Sequence, residues 1–313
     1  MPAIELTYLG AAGWRFTAGA TVVLLDPHLS RIRFSGRAFG TAETPAVSGD
    51  TRPVIGPDDF LVPDEAAIDA RITRADFIVV THSHFNHSLD APSIAKKTGA
   101  TVIGTASTIN LARAWGVPEG QLLAVHGGED FEFGALSVKA IPSLHSALSG
   151  KRYFDGRVVP RDVRVPYRLR DDVEGGTLAY LVRFAGQQVL AFGSMNYIER
   201  EVEGLRPDVA LIASARPRLE IHDYTRRLVR ALGFPPVVIA THWDIQSIPF
   251  DASQDVAREE ARRFTAEVRA ASPRTRVIIP EHWEPVTLRP PGRAARRGQR
   301  RRRASPRAGS GGD

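Results

Sequence analysis

The chain has 313 residues, 43% hydrophobic and 24% charged, the balance of a soluble globular protein long enough for one large domain or two intimately packed halves. It has no cysteine, which excludes disulfides, thiolate metal ligands, cysteine-ligated iron–sulfur clusters and cysteine nucleophiles, so any metal must be held by His, Asp, Glu or neutral oxygen donors. The formal net charge of +6 belongs to the end of the chain: residues 289–313 hold nine Arg against one Asp, which leaves the body near −2.

The segment Met1-Pro2-Ala3-Ile4-Glu5 carries no charged-then-apolar secretion signal, and no stretch approaches the ~18 to 20 apolar residues of a membrane span. A cytoplasmic location without a membrane span is therefore expected. The chain then opens with three expected strands, Ile4–Leu9, Trp14–Thr17 and Thr21–Leu25, punctuated by Gly10, Gly13 and Gly19 as a meander would be. Residues 31–66, rich in Gly, Pro and Asp, read as a long rim loop beside an active site. Alternating units follow: strand Phe77–Val80, helix Ala91–Lys97, strand Thr101–Gly104, helix Ser107–Trp115 and strand Gln121–Val125, then strands Asp130–Phe133 and Leu136–Ile141. Residues 146–176 are a second irregular stretch in which Arg152, Arg157, Arg161, Arg164, Arg168 and Arg170 interleave with Tyr153, Phe154 and Tyr167. That pattern fits either a solvated loop or a lid that clamps a phosphate or carboxylate of a substrate.

The second half repeats the rhythm with strands Thr177–Arg183, Gln188–Phe192, Val209–Ala213, Pro236–Ala240 and Thr275–Ile279, and with helices around Thr225–Leu232 and Gln254–Ala271. Meander strands followed by α/β crossovers, twice over, predict an α/β fold of two facing sheets with helices outside. One domain is expected over residues 1–288. Residues 289–313, rich in Arg, Gly, Pro and Ser, are expected to form a disordered tail; it reads first as a solvated extension and second as a means of holding nucleic acid or another anionic surface.

The densest chemistry lies in Thr81-His82-Ser83-His84-Phe85-Asn86-His87, directly after an apolar strand. His82 and His84, at i and i+2, share a side only where the chain is still extended, and imidazole is the commonest metal-donating side chain. His145 and His242 each follow a further expected strand. Single histidines are more often structural, and His28, His126, His222 and His282 are read that way. Asp90, before Ala91-Pro92, reads as a helix N-cap. Ser194, in Gly193-Ser194-Met195-Asn196, lacks the glycine two residues on that a nucleophile elbow requires.

With these residues in place the chain resembles the metallo-β-lactamase-fold hydrolases, in particular the ascorbate-phosphate lactonase-like and N-acylphosphatidylethanolamine phospholipase-like branch, over about residues 3–288. Leu24-Leu25-Asp26-Pro27 matches the first motif; His82, His84, Asn86 and His87 match the His-x-His-x-Asp-His motif; His145 and His242 match the later histidines. The resemblance implies a four-layer αββα sandwich with two mixed sheets, and two metal half-sites. The chain departs from it twice. Asn86 stands where the family has aspartate, and Ser194 stands where the bridging aspartate is expected, so no matched ligand is anionic.

One ion is therefore expected, zinc held by His82, His84 and His145, with manganese(II) or iron(II) as open alternatives, Asn86, His87 and His242 forming a weak second site and Ser194 a further candidate ligand at the bridging position. A zinc-bound hydroxide would attack a small-molecule ester, lactone, amide or phosphodiester. Asn86 would orient water or a substrate oxygen, while Asp26 and Asp244 would orient a histidine ring or relay a proton. The dioxygenase and flavo-diiron relatives fit less well, because their iron sites use carboxylates. The competing expectation is a non-catalytic binding protein on the same fold that has lost its second metal site.

Overall fold

A computed structural model describes residues 3–35, 44–148, 151 and 155–289. The Arg-rich tail beyond Arg289, with Arg152, Tyr153 and Phe154 of the second irregular stretch, lies outside the described residues.

The first half comprises β1 (Ile4–Gly10), β2 (Gly13–Ala18), β3 (Thr21–Leu25), α1 (Glu65–Arg71), β4 (Phe77–Val79), α2 (Phe85–Ser88), α3 (Ala91–Thr98), β5 (Thr101–Gly104), α4 (Ala106–Ala114) and β6 (Leu122–Ala124). The second comprises β7 (Asp130–Phe133), β8 (Leu136–Pro142), β9 (Leu178–Phe184), β10 (Gln187–Phe192), α5 (Glu199–Val202), β11 (Val209–Ala213), α6 (Tyr224–Ala231), β12 (Val237–Thr241), α7 (Asp255–Ala271), β13 (Arg276–Ile278) and β14 (Pro285–Leu288). Two seven-stranded sheets result, ordered β14-β1-β2-β3-β4-β5-β6 and β13-β12-β11-β10-β9-β8-β7. Each mixes an antiparallel meander with parallel crossovers, as the two-fold rhythm of the sequence predicts.

Side-chain alternation explains the layers. On β3, β4 and β5 the residues Val23, Leu25, Val79 and Ile103 enter the large core shared with Val138, Tyr180 and Val182 of the opposing sheet. Their neighbours Leu24, Ile78 and Val102 point the other way, to Ile68 of α1, Ile94 of α3 and Ile109 of α4. A strand buried on both faces needs an unbroken apolar run, which is what these segments carry. Each such side chain contributes roughly 1.5–3 kcal/mol through burial. Leu228 of α6 and Phe264 of α7 join the core on the second sheet, which completes the αββα order.

Three features depart from the sequence expectation. β14 pairs antiparallel with β1, from Ile4 opposite Leu288 to Thr7 opposite Pro285, so the last strand of the described residues forms an edge of the first sheet. The long first loop runs into helix α1, which Asp64 caps by accepting from the Ala67 N–H. Asp90 occupies the N-cap position of α3, its backbone carbonyl accepting the Ile94 N–H at 3.1 Å, but its side chain caps nothing; its carboxylate accepts the backbone N–H of Leu29 at 2.5 Å and of Ser30 at 2.9 Å, and it also bonds the Ser30 hydroxyl. The start of α3 is buried against the 29–30 loop, and that loop supplies the donors a cap would otherwise take.

The two irregular stretches form one rim. Leu61 N–H donates to Tyr167 O at 2.9 Å and Leu169 N–H to Asp59 O at 3.0 Å. Phe34, Leu61, Val159, Tyr167 and Leu169 make a small separate core around Phe85 and Leu89, beneath α2.

Candidate metal centre

The matched residues converge where strands end. Asp26 follows β3, Thr81 and His82 follow β4, His145 follows β8, Ser194 follows β10 and His242 follows β12. Asp26 and His242 both adopt the left-handed region, φ 42° and 49°, a conformation non-glycine residues rarely hold and that clusters at functional sites. The end of β10 lies so near this point that a Cβ at Gly193 would stand 2.0 Å from the Thr81 hydroxyl and 2.8 Å from Asp26 Oδ2.

Three rings form a near-equilateral triangle: centroids of His82 and His84 are 5.0 Å apart, His82 and His145 4.9 Å, His84 and His145 4.8 Å. One nitrogen from each lies within 4.8 Å of the others, and these are the only residues among those described that gather three such donors. His82 Nε2 is buried with no hydrogen-bond partner. A buried polar atom without a partner is costly, and three imidazole nitrogens gathered this closely suit a cation by their chemistry. The residues fit a divalent ion.

Their protonation agrees. Burial, followed by the neighbouring rings, holds His82 and His84 well below the ordinary imidazole range and pushes His145 down to about 3. Neutral rings are what metal ligation needs. His145 turns Nδ1 to the Ser146 carbonyl at 3.1 Å, and His82 Nδ1 lies 3.1 Å from the Thr81 hydroxyl, so for each ring Nε2 is the free donor.

Beside the triangle stand His87 and His242, their centroids 5.5 Å apart, and the rings of His87 and His82 lie 3.8 Å apart. His87 Nδ1 meets Asp26 Oδ2 at 2.8 Å. Burial disfavours charge on both partners: it raises Asp26 to about 7, against bonds from Thr81 that lower it, and it pushes His87 down to about 3. Asn86 donates Nδ2–H to Gln246 Oε1 at 2.8 Å and sits 3.5 Å from His242 Nε2. Burial, then His87, pushes His242 down to about 4.

Ser194 and Asp244 are placed differently. The Ser194 hydroxyl bonds Ser146, 3.2 Å from its N–H and 3.0 Å from its hydroxyl, while Asn196 Nδ2 donates to His145 O at 3.0 Å. The 194–196 segment thus cradles the loop that carries His145. Asp244 is wholly engaged: Oδ1 accepts from Tyr8 at 2.7 Å and from Ala11 N–H at 2.9 Å, and Oδ2 pairs with Arg31 and with His282 at 3.0 Å. Burial works against its charge, yet Arg31 and His282 hold it well below the usual carboxylate range.

Of the histidines read as structural, His282 serves Asp244, His126 pairs with Glu129 at the surface, and His222 is exposed. His28 is fully buried beside Phe85, but neither ring nitrogen meets a partner among the described residues, so it is not the satisfied histidine expected. In the second irregular stretch Arg157, Arg161 and Arg170 pair with Asp155, Glu119 and Asp58, and Arg168 lies over Phe60.

Sequence reasoning missed Thr81, Gln246 and Asp172. Thr81 donates to Asp26 Oδ2 at 2.6 Å from its hydroxyl and to Oδ1 at 2.7 Å from its N–H. Asp172 accepts the Phe85 N–H at 3.1 Å and the Tyr167 hydroxyl at 3.2 Å, holding α2 in place. Thr81 directly precedes the histidine run and could have been suspected from that; the other two lie on loops with no spacing signal.

The profile of the Beta-lactamase superfamily domain matches residues 23–243, and the chain belongs to that superfamily. A UPF0173 metal-dependent hydrolase of Thermoplasma volcanium is 26% identical over 235 residues, 74% of this chain and 90% of its own. A UPF0173 metal-dependent hydrolase of Staphylococcus aureus is 35% identical over 112 residues, 36% of this chain and 46% of its own. Among solved structures, the metallo hydrolase Igni18 of Ignicoccus hospitalis aligns with TM-score 0.56 at 18% identity, covering 92% of this chain and 99% of its own. The diiron β-hydroxylase CmlA of Streptomyces venezuelae aligns with TM-score 0.52 at 16% identity, over 92% of this chain and 54% of its own. These likenesses establish the metallo-β-lactamase fold.

Proposed function

We propose that the protein is a metal-dependent hydrolase working with one divalent ion, zinc, held by His82, His84 and His145. The observation that carries the reading is the triangle of three neutral imidazoles, His82 buried and His84 and His145 partly so, with its unpartnered His82 Nε2. The hydrolase names of the Thermoplasma and Staphylococcus relatives support it.

A zinc ion bound there would supply Lewis acidity and lower the pKa of a water toward roughly 7. The remaining roles fall to the chain. Asp26 orients His87 directly and His82 through Thr81, so that one carboxylate sets both rings. His242 and His87, neutral at pH 7, line the adjacent wall, where an Nε2 can accept a hydrogen bond from a water or a substrate hydroxyl and so orient it. Asp244 anchors the loop that follows His242 through Arg31. Ser194, a candidate ligand by motif, acts here by holding Ser146.

A single ion follows from charge. Two divalent ions about 4 Å apart repel by roughly 15 kcal/mol at an effective dielectric of 20. The two positions where the resemblance implies a carboxylate facing the metals hold neutral residues, Asn86 and Ser194. The same observation supports a second reading, a binding protein without turnover. The test is hydrolysis of a panel of esters, lactones, amides and phosphodiesters by the zinc-loaded chain. Zinc-dependent turnover that His84→Ala abolishes supports the enzyme; tight zinc binding with no turnover on any class supports the second reading.

A further inference from the structure

Asn86 does not stand alone at the place where a carboxylate was expected. Its Nδ2 donates to Gln246 Oε1 at 2.8 Å, and the same nitrogen is 3.5 Å from His242 Nε2, too long for a strong bond. One Asn86 N–H is therefore spent on Gln246 and the other is directed at the edge of the histidine cluster. The NH2 of Gln246 donates to none of the described residues. Two amides joined tip to tip thus present, beside His242, the NH2 of Gln246 and one weakly engaged N–H of Asn86.

Both are rigidly mounted. Asn86 lies on α2, whose first N–H is held by Asp172. Gln246 lies on a loop clamped by Arg31, which donates to the carbonyls of Ile245 at 2.7 Å and Ile248 at 2.9 Å. Arg52 donates to Ser247 O at 3.0 Å, and the Ser247 hydroxyl is 2.8 Å from that of Thr44. The nearby carboxylates are already engaged, Asp26 with Thr81 and His87 and Asp244 with Arg31 and His282. A cation beside Asn86 would find neither of these two carboxylates free, whereas an oxygen carrying negative charge would find donors.

We infer that Asn86 and Gln246 form a paired-amide subsite that receives a carbonyl or carboxylate oxygen of the substrate, in the position where a second metal ion would otherwise lie. The inference deepens the hydrolase reading, since the oxygen is that of the molecule presented to the metal. It predicts a preference for substrates with an oxygen acceptor next to the bond that is cut, and Gln246 as a determinant of that preference.

The experiment is a titration of the zinc-loaded full chain with acetate, read by the side-chain amide resonances of Asn86 and Gln246 in nitrogen-15 NMR. Saturable movement of both amides is expected. Gln246→Leu should weaken acetate binding about five- to tenfold, and the isosteric Gln246→Glu, which repels a carboxylate, should weaken it further. Asn86→Asp should abolish the Gln246 response and raise zinc content above one per chain. Silent amides while histidine resonances move, acetate binding by Gln246→Leu equal to the parent, or a second zinc on Asn86 in the unaltered chain would each overturn the inference. Acetate is not turned over, so the outcomes separate: a protein inert toward every substrate class but with responsive amides loses the hydrolase reading and keeps the subsite. An active enzyme with silent amides loses the subsite alone.

Discussion

The Asp26 carboxylate meets His87 Nδ1 at 2.8 Å, and through the Thr81 hydroxyl, 2.6 Å away, the same oxygen reaches the neighbourhood of His82. One buried acid therefore orients a ring of the metal triangle and a ring of the adjacent wall. Partners of this kind fix tautomer and ring direction, and their loss typically costs about 10- to 100-fold in metal affinity. Thr81→Val should weaken zinc binding within that range, and Thr81→Ser, which keeps the hydroxyl, should restore it. Competition against a zinc chelator measures this; equal affinity for parent and valine variant would refute the role.

Gly193→Ala should be among the most damaging small substitutions in the chain. Its Cβ would stand 2.0 Å from the Thr81 hydroxyl, whereas a Cβ at Gly120 meets nothing within 4 Å. Forced displacement of a packed neighbour costs about 3 kcal/mol, while Gly120→Ala should change stability by about 0.5 kcal/mol or less. Denaturant unfolding of the two variants side by side provides the comparison.

Asp244 separates an anchoring role from a chemical one. Its side chain is fully buried against a buried Arg31, and removing one member of such a pair costs about 3–5 kcal/mol because the other charge is stranded. Asp244→Asn should lower the melting temperature of the metal-free protein as strongly as that of the loaded protein. A variant of unchanged stability that loses turnover alone would assign Asp244 to proton transfer.

Asp172 gives a pH-dependent test. Burial raises its pKa well above the ordinary carboxylate value, against bonds from Tyr167 and the Phe85 N–H that lower it. A group whose folded pKa is raised contributes stability that is fully present below the unfolded value of 3.8 and is lost as pH climbs through the folded one. Asp172→Asn accepts the same two bonds without ionising. Relative to the parent it should be near neutral in stability at pH 4 and stabilising at pH 8; the reverse order would contradict a protonated Asp172.

Much of this was legible in the residues. Strands Thr21–Leu25 and Val209–Ala213 have the bounds their unbroken apolar runs suggest, because burial on both faces leaves no ambiguity. β14 escaped notice because Pro285-Val286-Thr287-Leu288 is short, lies at a sheet edge and buries only Leu288 fully. α2 was hidden for another reason: four residues give no period, and it exists because Asp172, far away in sequence, holds its first N–H. The histidines could be found because strand ends and motif spacing announce them. Gln246 and Asp172 could not, since their partners are set by loop geometry that local pattern does not encode. The ion pair of Asp244 with Arg31 was likewise beyond local pattern, as nothing in the sequence joins the two.

The proposal is that one metal ion binds at the histidine triangle. Anomalous scattering at the zinc edge from crystals of the zinc-loaded chain, paired with elemental analysis of the same sample, should give one ion per chain, coordinated by His82, His84 and His145, with Asn86 still bonded to Gln246. Two equally occupied ions bridged beside Asn86, or a chain that stays metal-free in excess zinc, would contradict it.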